Sequence, residues 1–208
     1  MGDYYTRRNR ERWERIFAGI PPEWYEAPPS DAMLQCRRYF GANPCRRLLD
    51  LGCGFGRWAR FLAGHGAREV VGIDYAAGGV RAASAWARRE GFPARFVAAS
   101  AMELPFRGGG FDGLLAAVVL DNLSREDRAR SVRAFNAVLE PGARGFFVFN
   151  PVLSRDELEA VPDSNPTRGC MHVDYGDEEL AGCLPGWSVT RFGRTEEGFR
   201  VVEATVGG

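Results

Sequence analysis

The chain contains no lysine, so arginine supplies all 27 of its basic side chains. Arginine suits carboxylate contacts, but in a chain this rich in Ala and Gly its exclusive use reads as coding bias. Histidine is nearly missing, with only His65 and His172. Neither sign of charge is in excess: 27 acidic residues balance the arginines and the formal net charge is zero. No global field is therefore expected to draw the chain to nucleic acid or an acidic membrane. The five cysteines are an odd number with no C-x-x-C pair, the pattern of reduced thiols in a cytosolic protein. Cys170 and His172 could be two metal ligands, but no partner pair stands at zinc-finger spacing, so no metal is expected. No apolar run approaches about 20 residues and the N-terminus is polar, so neither a membrane span nor export is expected and the predicted location is cytoplasmic.

What is present is a 208-residue chain, 45% hydrophobic and 26% charged, enough for one α/β domain with a full core. The most telling stretch is Leu48-Leu49-Asp50-Leu51-Gly52-Cys53-Gly54-Phe55-Gly56-Arg57. An apolar strand runs into three alternating glycines and a helical pattern follows. About twenty residues later a second apolar run ends on an acid, Val70-Val71-Gly72-Ile73-Asp74. Glycines let a backbone approach a ligand closely, a helix N-terminus offers unpaired N–H groups, and an acid ending the second strand can accept both hydroxyls of a ribose. The layout is that of a nucleotide-type cofactor site.

Helical spacing of Trp13, Ile16, Phe17 and Ile20 predicts an amphipathic helix over 7–18, ended by Pro21-Pro22. A second helix is expected over 31–40. Strands are then expected at 46–51, 69–74, 95–98, 111–119 and 145–150, with helices at 57–65, 79–90 and 124–139, the last capped by Ser124. The strands read as continuous apolar runs, which suits a parallel sheet buried on both faces. Residues 151–175 are polar and aperiodic and read as a lid loop. A short helix over 177–184 and two alternating segments around Thr195-Glu196-Glu197-Gly198 predict a final antiparallel hairpin. The expected fold is α/β, a Rossmann-like doubly wound seven-stranded sheet, mostly parallel, with helices on both faces. The expected organisation is a single domain over 1–208: an N-terminal helical cap (1–45), a cofactor-binding core (46–150), a lid loop (151–176), and a helix with the terminal hairpin (177–208).

A nicotinamide site needs G-x-G-x-x-G. Counted from Gly52, the third glycine would fall at 57, which is Arg57; the pattern is G-x-G-x-G. Asp50 also stands where a dinucleotide fold usually has an apolar residue. Five segments, Asp50-Leu51-Gly52-Cys53-Gly54-Phe55-Gly56, Gly72-Ile73-Asp74, Ser100-Ala101-Met102-Glu103-Leu104-Pro105-Phe106, Phe111-Asp112 and Leu139-Glu140-Pro141-Gly142, follow in order at suitable intervals. Together they closely resemble the class I S-adenosylmethionine-dependent methyltransferases over about 46–150. A narrower resemblance, carried by Trp13-Glu14-Arg15-Ile16-Phe17, Pro21-Pro22-Glu23-Trp24 and Gly186-Trp187, is to the tellurite-resistance and thiopurine methyltransferase branch.

The resemblance implies S-adenosylmethionine as cofactor. Gly52, Cys53, Gly54 and Gly56 would wrap its methionine part, with Asp50 anchoring the loop and the amino group. Asp74 would hold the ribose diol through charge-assisted bonds, with Tyr75 beside the adenine. Relatives often carry Asp where this chain has Ser100; a hydroxyl can still accept a hydrogen bond, without charge, and the N–H groups of Ala101 and Met102 would read the adenine edge. Val118 to Asn122 is where the fourth strand delivers residues to the pocket mouth. Asp121 is a candidate base or substrate-orienting group and Asn122 a substrate contact, the plain alternative being a loop start before the Ser124 cap. His172, in the expected lid, is the other candidate base. Trp13, Trp24 and Tyr25 would shape an apolar substrate pocket, or simply pack an N-terminal helix on the sheet. Arg12 or Arg15 could pair with the cofactor carboxylate, or belong to a solvated helix face. The implied activity is methyl transfer to a small-molecule acceptor, with no nucleic-acid or membrane partner, by a monomer or homodimer. The lack of an obvious His base favours soft acceptors. The alternatives are a non-catalytic binding protein on the same fold, motivated by Ser100, and a nicotinamide oxidoreductase.

Overall fold

The continuous apolar runs become the inner strands of one twisted sheet in a computed structural model, which describes residues 2–151 and 177–207. The elements are α1 (Gly2–Phe17), α2 (Pro22–Glu26), α3 (Asp31–Ala42), β1 (Cys45–Leu51), α4 (Arg57–Leu62), β2 (Ala67–Asp74), α5 (Ala77–Glu90), β3 (Ala94–Ala98), β4 (Phe111–Ala117), a single 3-10 turn (Leu120–Asn122), α6 (Arg125–Val138), β5 (Leu139–Phe149), α7 (Asp177–Gly182), β6 (Trp187–Arg194) and β7 (Arg200–Val206). The strand order is β3-β2-β1-β4-β5-β7-β6. β1 to β5 pair in parallel, and β7 runs antiparallel between β5 and β6. This is the expected Rossmann-like doubly wound sheet with its C-terminal hairpin.

Adjacent residues on the inner strands feed two cores. Leu49, Leu114 and Phe147 pack with Val132, Phe135 and Val138 of α6 on one face. Their neighbours Leu48, Leu115 and Phe146 pack with Cys36 and Phe40 of α3 and Ala59 and Leu62 of α4 on the other. Successive side chains of a strand point to opposite faces, so a sheet covered on both sides needs an unbroken apolar run. The chain leaves β1 toward β2 and β3, then returns to the other side of β1 with β4 and β5. The carboxyl ends of β1 and β4 thus flank the point where the winding reverses, the place where such sheets bind ligands.

Several boundaries move from expectation. The helix expected from residue 7 starts at Gly2, and Pro22–Glu26 adds a turn of helix with proline in its first position, where the missing N–H is harmless. β5 begins at Leu139, paired to Phe111, because a bulge between Phe111 and Gly113 lets the Pro141-Gly142 kink sit inside the strand. β4 stops at Ala117, two residues early, because Val118 takes a left-handed φ of 55°. Ser124 caps α6 as predicted, its Oγ accepting the Asp127 N–H at 3.1 Å. The lid loop expected over 151–176 lies, beyond Pro151, outside the described residues, as do Cys170 and His172. The described cysteines Cys36, Cys45, Cys53 and Cys183 are free thiols. Among the described residues no helix is long and apolar enough to cross a membrane, and no cluster of His, Cys, Asp or Glu could hold a metal.

Candidate active site

A pocket of about 240 Å³ opens where the winding reverses. Its floor is Gly52 after β1, with Ile73, Asp74 and Tyr75 at the end of β2. Ala99, Ser100, Ala101 and Met102 after β3 form one side; Ala117, Val118, Val119, Asn122 and Leu123 after β4 form the other. Arg10, Trp13 and Phe17 of α1 close it from above. Local sequence explains the floor. Gly52 has φ 70°, and a Cβ there would stand 2.4 Å from a methyl of Val119. Gly54 has φ 53°, with the Phe17 ring 3.0 Å from where its Cβ would be. Side chains at either position would be strained and would fill the space in which the loop meets its neighbours.

Asp74 is the electrostatic centre. It is 7% exposed. Oδ2 accepts the Gly54 N–H at 2.9 Å and Oδ1 the Ala76 N–H at 2.8 Å. Burial pushes its pKa up to about 6, and the N–H groups of Ala76, Gly54 and Tyr75 hold it from rising further. A carboxylate has about four acceptor positions, so beyond these backbone donors the group keeps acceptor capacity on the pocket side. Asp50 lies one strand over and is 1% exposed. Burial, reinforced by the charge of Asp74, pushes it to about 7, against the pull of the Ala59 N–H. Its Oδ2 has no hydrogen-bond partner among the described residues. Asp50 stands behind the floor and does not line the pocket; nor do Cys53, Gly54 and Gly56. Burial drives the Cys53 thiol well above its usual range, which leaves it protonated and unreactive.

Ser100, Ala101 and Met102 line the pocket together, with one change from expectation. The Met102 N–H already donates to Ser100 Oγ at 3.2 Å, so it is engaged rather than turned toward a ligand. Opposite them, Val118 holds a backbone conformation that costs a β-branched residue of order 1–3 kcal/mol. Its N–H donates to Val148 O at 2.8 Å, and its carbonyl accepts from Asn122 Nδ2 at 2.8 Å. Asp121 is turned away from the pocket, unlike Asn122. It is 3% exposed, Oδ2 accepts the Asn150 N–H at 2.7 Å, and it ties the end of β4 to the end of β5. Burial raises its pKa to about 6.

The N-terminal aromatics divide. Trp13 stacks on Phe17 with centroids 5.5 Å apart and lines the pocket. Trp24 and Tyr25 do not: Trp24 leans on Phe55 at 6.0 Å, and Tyr25 wedges edge-on between Phe55 at 5.2 Å and Trp86 at 4.7 Å. The short helix α2 carries them past the outer side of the glycine loop. Arg15 donates to Glu11 O on the exposed side of α1, and Arg10, not Arg12 or Arg15, reaches the lining. Phe17 and Arg10 were the residues missed on α1. Both follow from Trp13 by helical spacing, one turn on and one turn back, so the periodicity contained them once the inward face was known.

Comparison with known proteins agrees with this geometry. A family model described as a methyltransferase domain matches residues 48–142. Over that segment, a little under half of the chain, the protein is similar to methyltransferase domains. Among curated relatives, demethylmenaquinone methyltransferase of Thermus thermophilus is 35% identical over 100 residues, 48% of this chain and 44% of that protein. Methyltransferase GfsG of Streptomyces halstedii is 33% identical over 156 residues, 69% of this chain and 55% of that protein. The chain thus spans about half, or less, of the length of the curated relatives it matches. Among solved structures, the Burkholderia thailandensis 1,6-didemethyltoxoflavin-N1-methyltransferase, with 1,6-didemethyltoxoflavin and S-adenosylhomocysteine bound, superposes with a TM-score of 0.75. It is 21% identical, and the match covers all of this chain and 91% of that one.

Proposed function

We propose that the chain transfers the methyl group of S-adenosylmethionine to a small-molecule acceptor, with residues 1–45 as a cap over the core at 46–150. The observation that carries this reading is Asp74, a buried carboxylate at the end of β2 that lines the pocket and, held by backbone N–H groups, keeps acceptor capacity. A ribose diol is the ligand group that matches two acceptors so spaced. The residues fit the cofactor elsewhere too. Ser100 lines the wall after β3, where its hydroxyl would meet the adenine. Gly52, at positive φ, brings backbone to the pocket floor without a side chain. The Oδ2 of Asp50, without a partner among the described residues, lies behind the same loop.

Bound S-adenosylmethionine would supply an activated methyl group on a positive sulfur. The chain's own residues then have to align the acceptor and exclude water. Trp13 and Phe17 provide the apolar cover, Val118 and Val119 the facing wall, and Arg10 and Asn122 the polar contacts for an acceptor. Asp121, bound to Asn150, acts as a tie between strands rather than a base. Asp74 is the only carboxylate in the described lining and there is no imidazole in it, so acceptors already nucleophilic near neutral pH suit this pocket. Demethylmenaquinone and 1,6-didemethyltoxoflavin methyltransferases are named for small-molecule acceptors, which supports that class here.

The test is transfer of labelled methyl from S-adenosylmethionine to a panel of thiols, nitrogen heterocycles, phenols and quinols. Transfer to any of them, abolished in Asp74→Ala, is the expected result. Tight NADH binding with no S-adenosylhomocysteine binding in calorimetry would overturn the reading. Binding of S-adenosylhomocysteine without transfer to any acceptor would favour a non-catalytic binding protein.

A further inference from the structure

The helix α5 has no cap of its own: Ala76 precedes it and offers no side-chain acceptor. The first N–H groups of a helix have no partner within it. Here they find one 63 residues upstream, on α1. Glu14 Oε1 accepts the Ala77 N–H at 2.7 Å, and Oε2 accepts the Gly78 N–H at 3.0 Å. A carboxylate is the favoured group at this end of a 14-residue helix. On the same side of α1, Phe17 rests on the backbone of both Gly54 and Gly79; a Cβ at these positions would be 3.0 and 2.9 Å from its ring. Trp13 stacks on Phe17, and Arg10 follows one turn back, both lining the pocket. Glu14 also lies near enough to Asp74 for its charge to disfavour that residue's ionised form. The residues that cover the pocket are therefore carried by a helix that one carboxylate clips to the core, beside the proposed ribose site.

We propose that Glu14 is a positioning residue for this site: bound across the first two N–H groups of α5, its carboxylate seats α1 as the outer wall of the pocket. Release of the cofactor product then requires that contact to break. The inference rests on the cofactor reading above, and its test separates the two. Wild type, Glu14→Gln and Glu14→Ala are compared as full-length chains in two measurements. The first is tryptic cleavage after Arg10, Arg12 and Arg15, followed by mass spectrometry with and without S-adenosylhomocysteine. The second is the dissociation rate of S-adenosylhomocysteine, followed by tryptophan fluorescence. In wild type the ligand should protect the α1 sites. Glu14→Ala should be cut there at least tenfold faster and should release the ligand about tenfold faster. Glu14→Gln, which keeps one acceptor oxygen, should fall between. Cleavage and release within twofold of wild type would overturn the proposal, as would faster cleavage spread evenly over the chain's arginines. If wild type binds no S-adenosylhomocysteine, the cofactor reading fails. The cleavage rates without ligand then decide the role of Glu14 alone, tenfold faster in Glu14→Ala supporting it and equal rates refuting it.

Discussion

Replacing Asp74 by Asn alters a single atom at the pocket floor and bears directly on the cofactor reading. In wild type the two oxygens accept the Gly54 and Ala76 N–H groups at 2.9 and 2.8 Å, and the carboxylate keeps acceptor capacity for the pocket. Asn has one oxygen and one NH2. In either orientation the NH2 opposes a backbone N–H, and only one acceptor remains for a diol. Hydrogen bonds to charged groups contribute about 1.5–3 kcal/mol each, so losing one and removing the charge from the other weakens S-adenosylhomocysteine by about 2–4 kcal/mol, roughly 30- to 1,000-fold. Calorimetry at pH 8 measures this. Wild type carries an internal control. Burial has raised Asp74 to about 6, so it is ionised at pH 8 and mostly protonated at pH 5. Affinity should fall about tenfold per pH unit below about 6, and Asp74→Asn should lack that fall. An Asn variant that binds within threefold of wild type at pH 8, with an unchanged thermal midpoint, would refute the assignment of Asp74 to the ribose.

Asp50→Asn should change the pH dependence of stability. An acid raised to about 7 in the folded state binds protons more tightly there than in the unfolded chain, so it costs stability as pH rises through that range. The stability of the variant relative to wild type should therefore grow by about 2–3 kcal/mol between pH 5 and pH 8 in urea unfolding; a constant difference would contradict the burial argument. Gly52→Ala puts a methyl 2.4 Å from Val119 at φ 70° and should destabilise by about 2–4 kcal/mol, lowering the thermal midpoint by roughly 5–15 °C. Trp13→Ala should raise the acceptor KM roughly 5- to 30-fold, from about 1–2 kcal/mol of lost aromatic contact, while S-adenosylhomocysteine affinity changes less; an effect on the cofactor alone would move Trp13 to the other end of the pocket.

The segment from β1 to the end of β2 was legible without a structure because its signals are local. Alternating glycines with positive φ, a helix opening behind them, and an acid ending the next strand all arise within 25 residues. Backbone sterics and strand burial alone produce that pattern. The Ser124 cap and the hairpin around Thr195-Glu196-Glu197-Gly198 were legible for the same reason. Ser100, Ala101 and Met102 came through resemblance, since nothing in their own residue types marks a ligand.

The rest depended on which distant elements meet. Helical spacing defined an apolar face for α1 but not what it covers. In the structure Trp13, Phe17 and Arg10 line the pocket, while Glu14 of the same helix binds Ala77 and Gly78 and Phe17 rests on Gly54 and Gly79. Trp24 and Tyr25 have the same chemistry as Trp13, yet a five-residue helix carries them to Phe55 and Trp86. Asp121 and Asn122 are adjacent and both polar. The left-handed turn at Val118 and the 3-10 turn after it send one to Asn150 and the other to the pocket. The sequence by itself determined the glycine loop, the acid that ends β2 and the parallel α/β architecture, because each follows from short-range sterics or from burial on both faces of a strand. Which polar groups are buried away, which aromatics face the ligand and how the covering helix is held were decided only in the tertiary structure. Those outcomes depend on contacts between segments up to 64 residues apart, and no local pattern encodes which segments will meet.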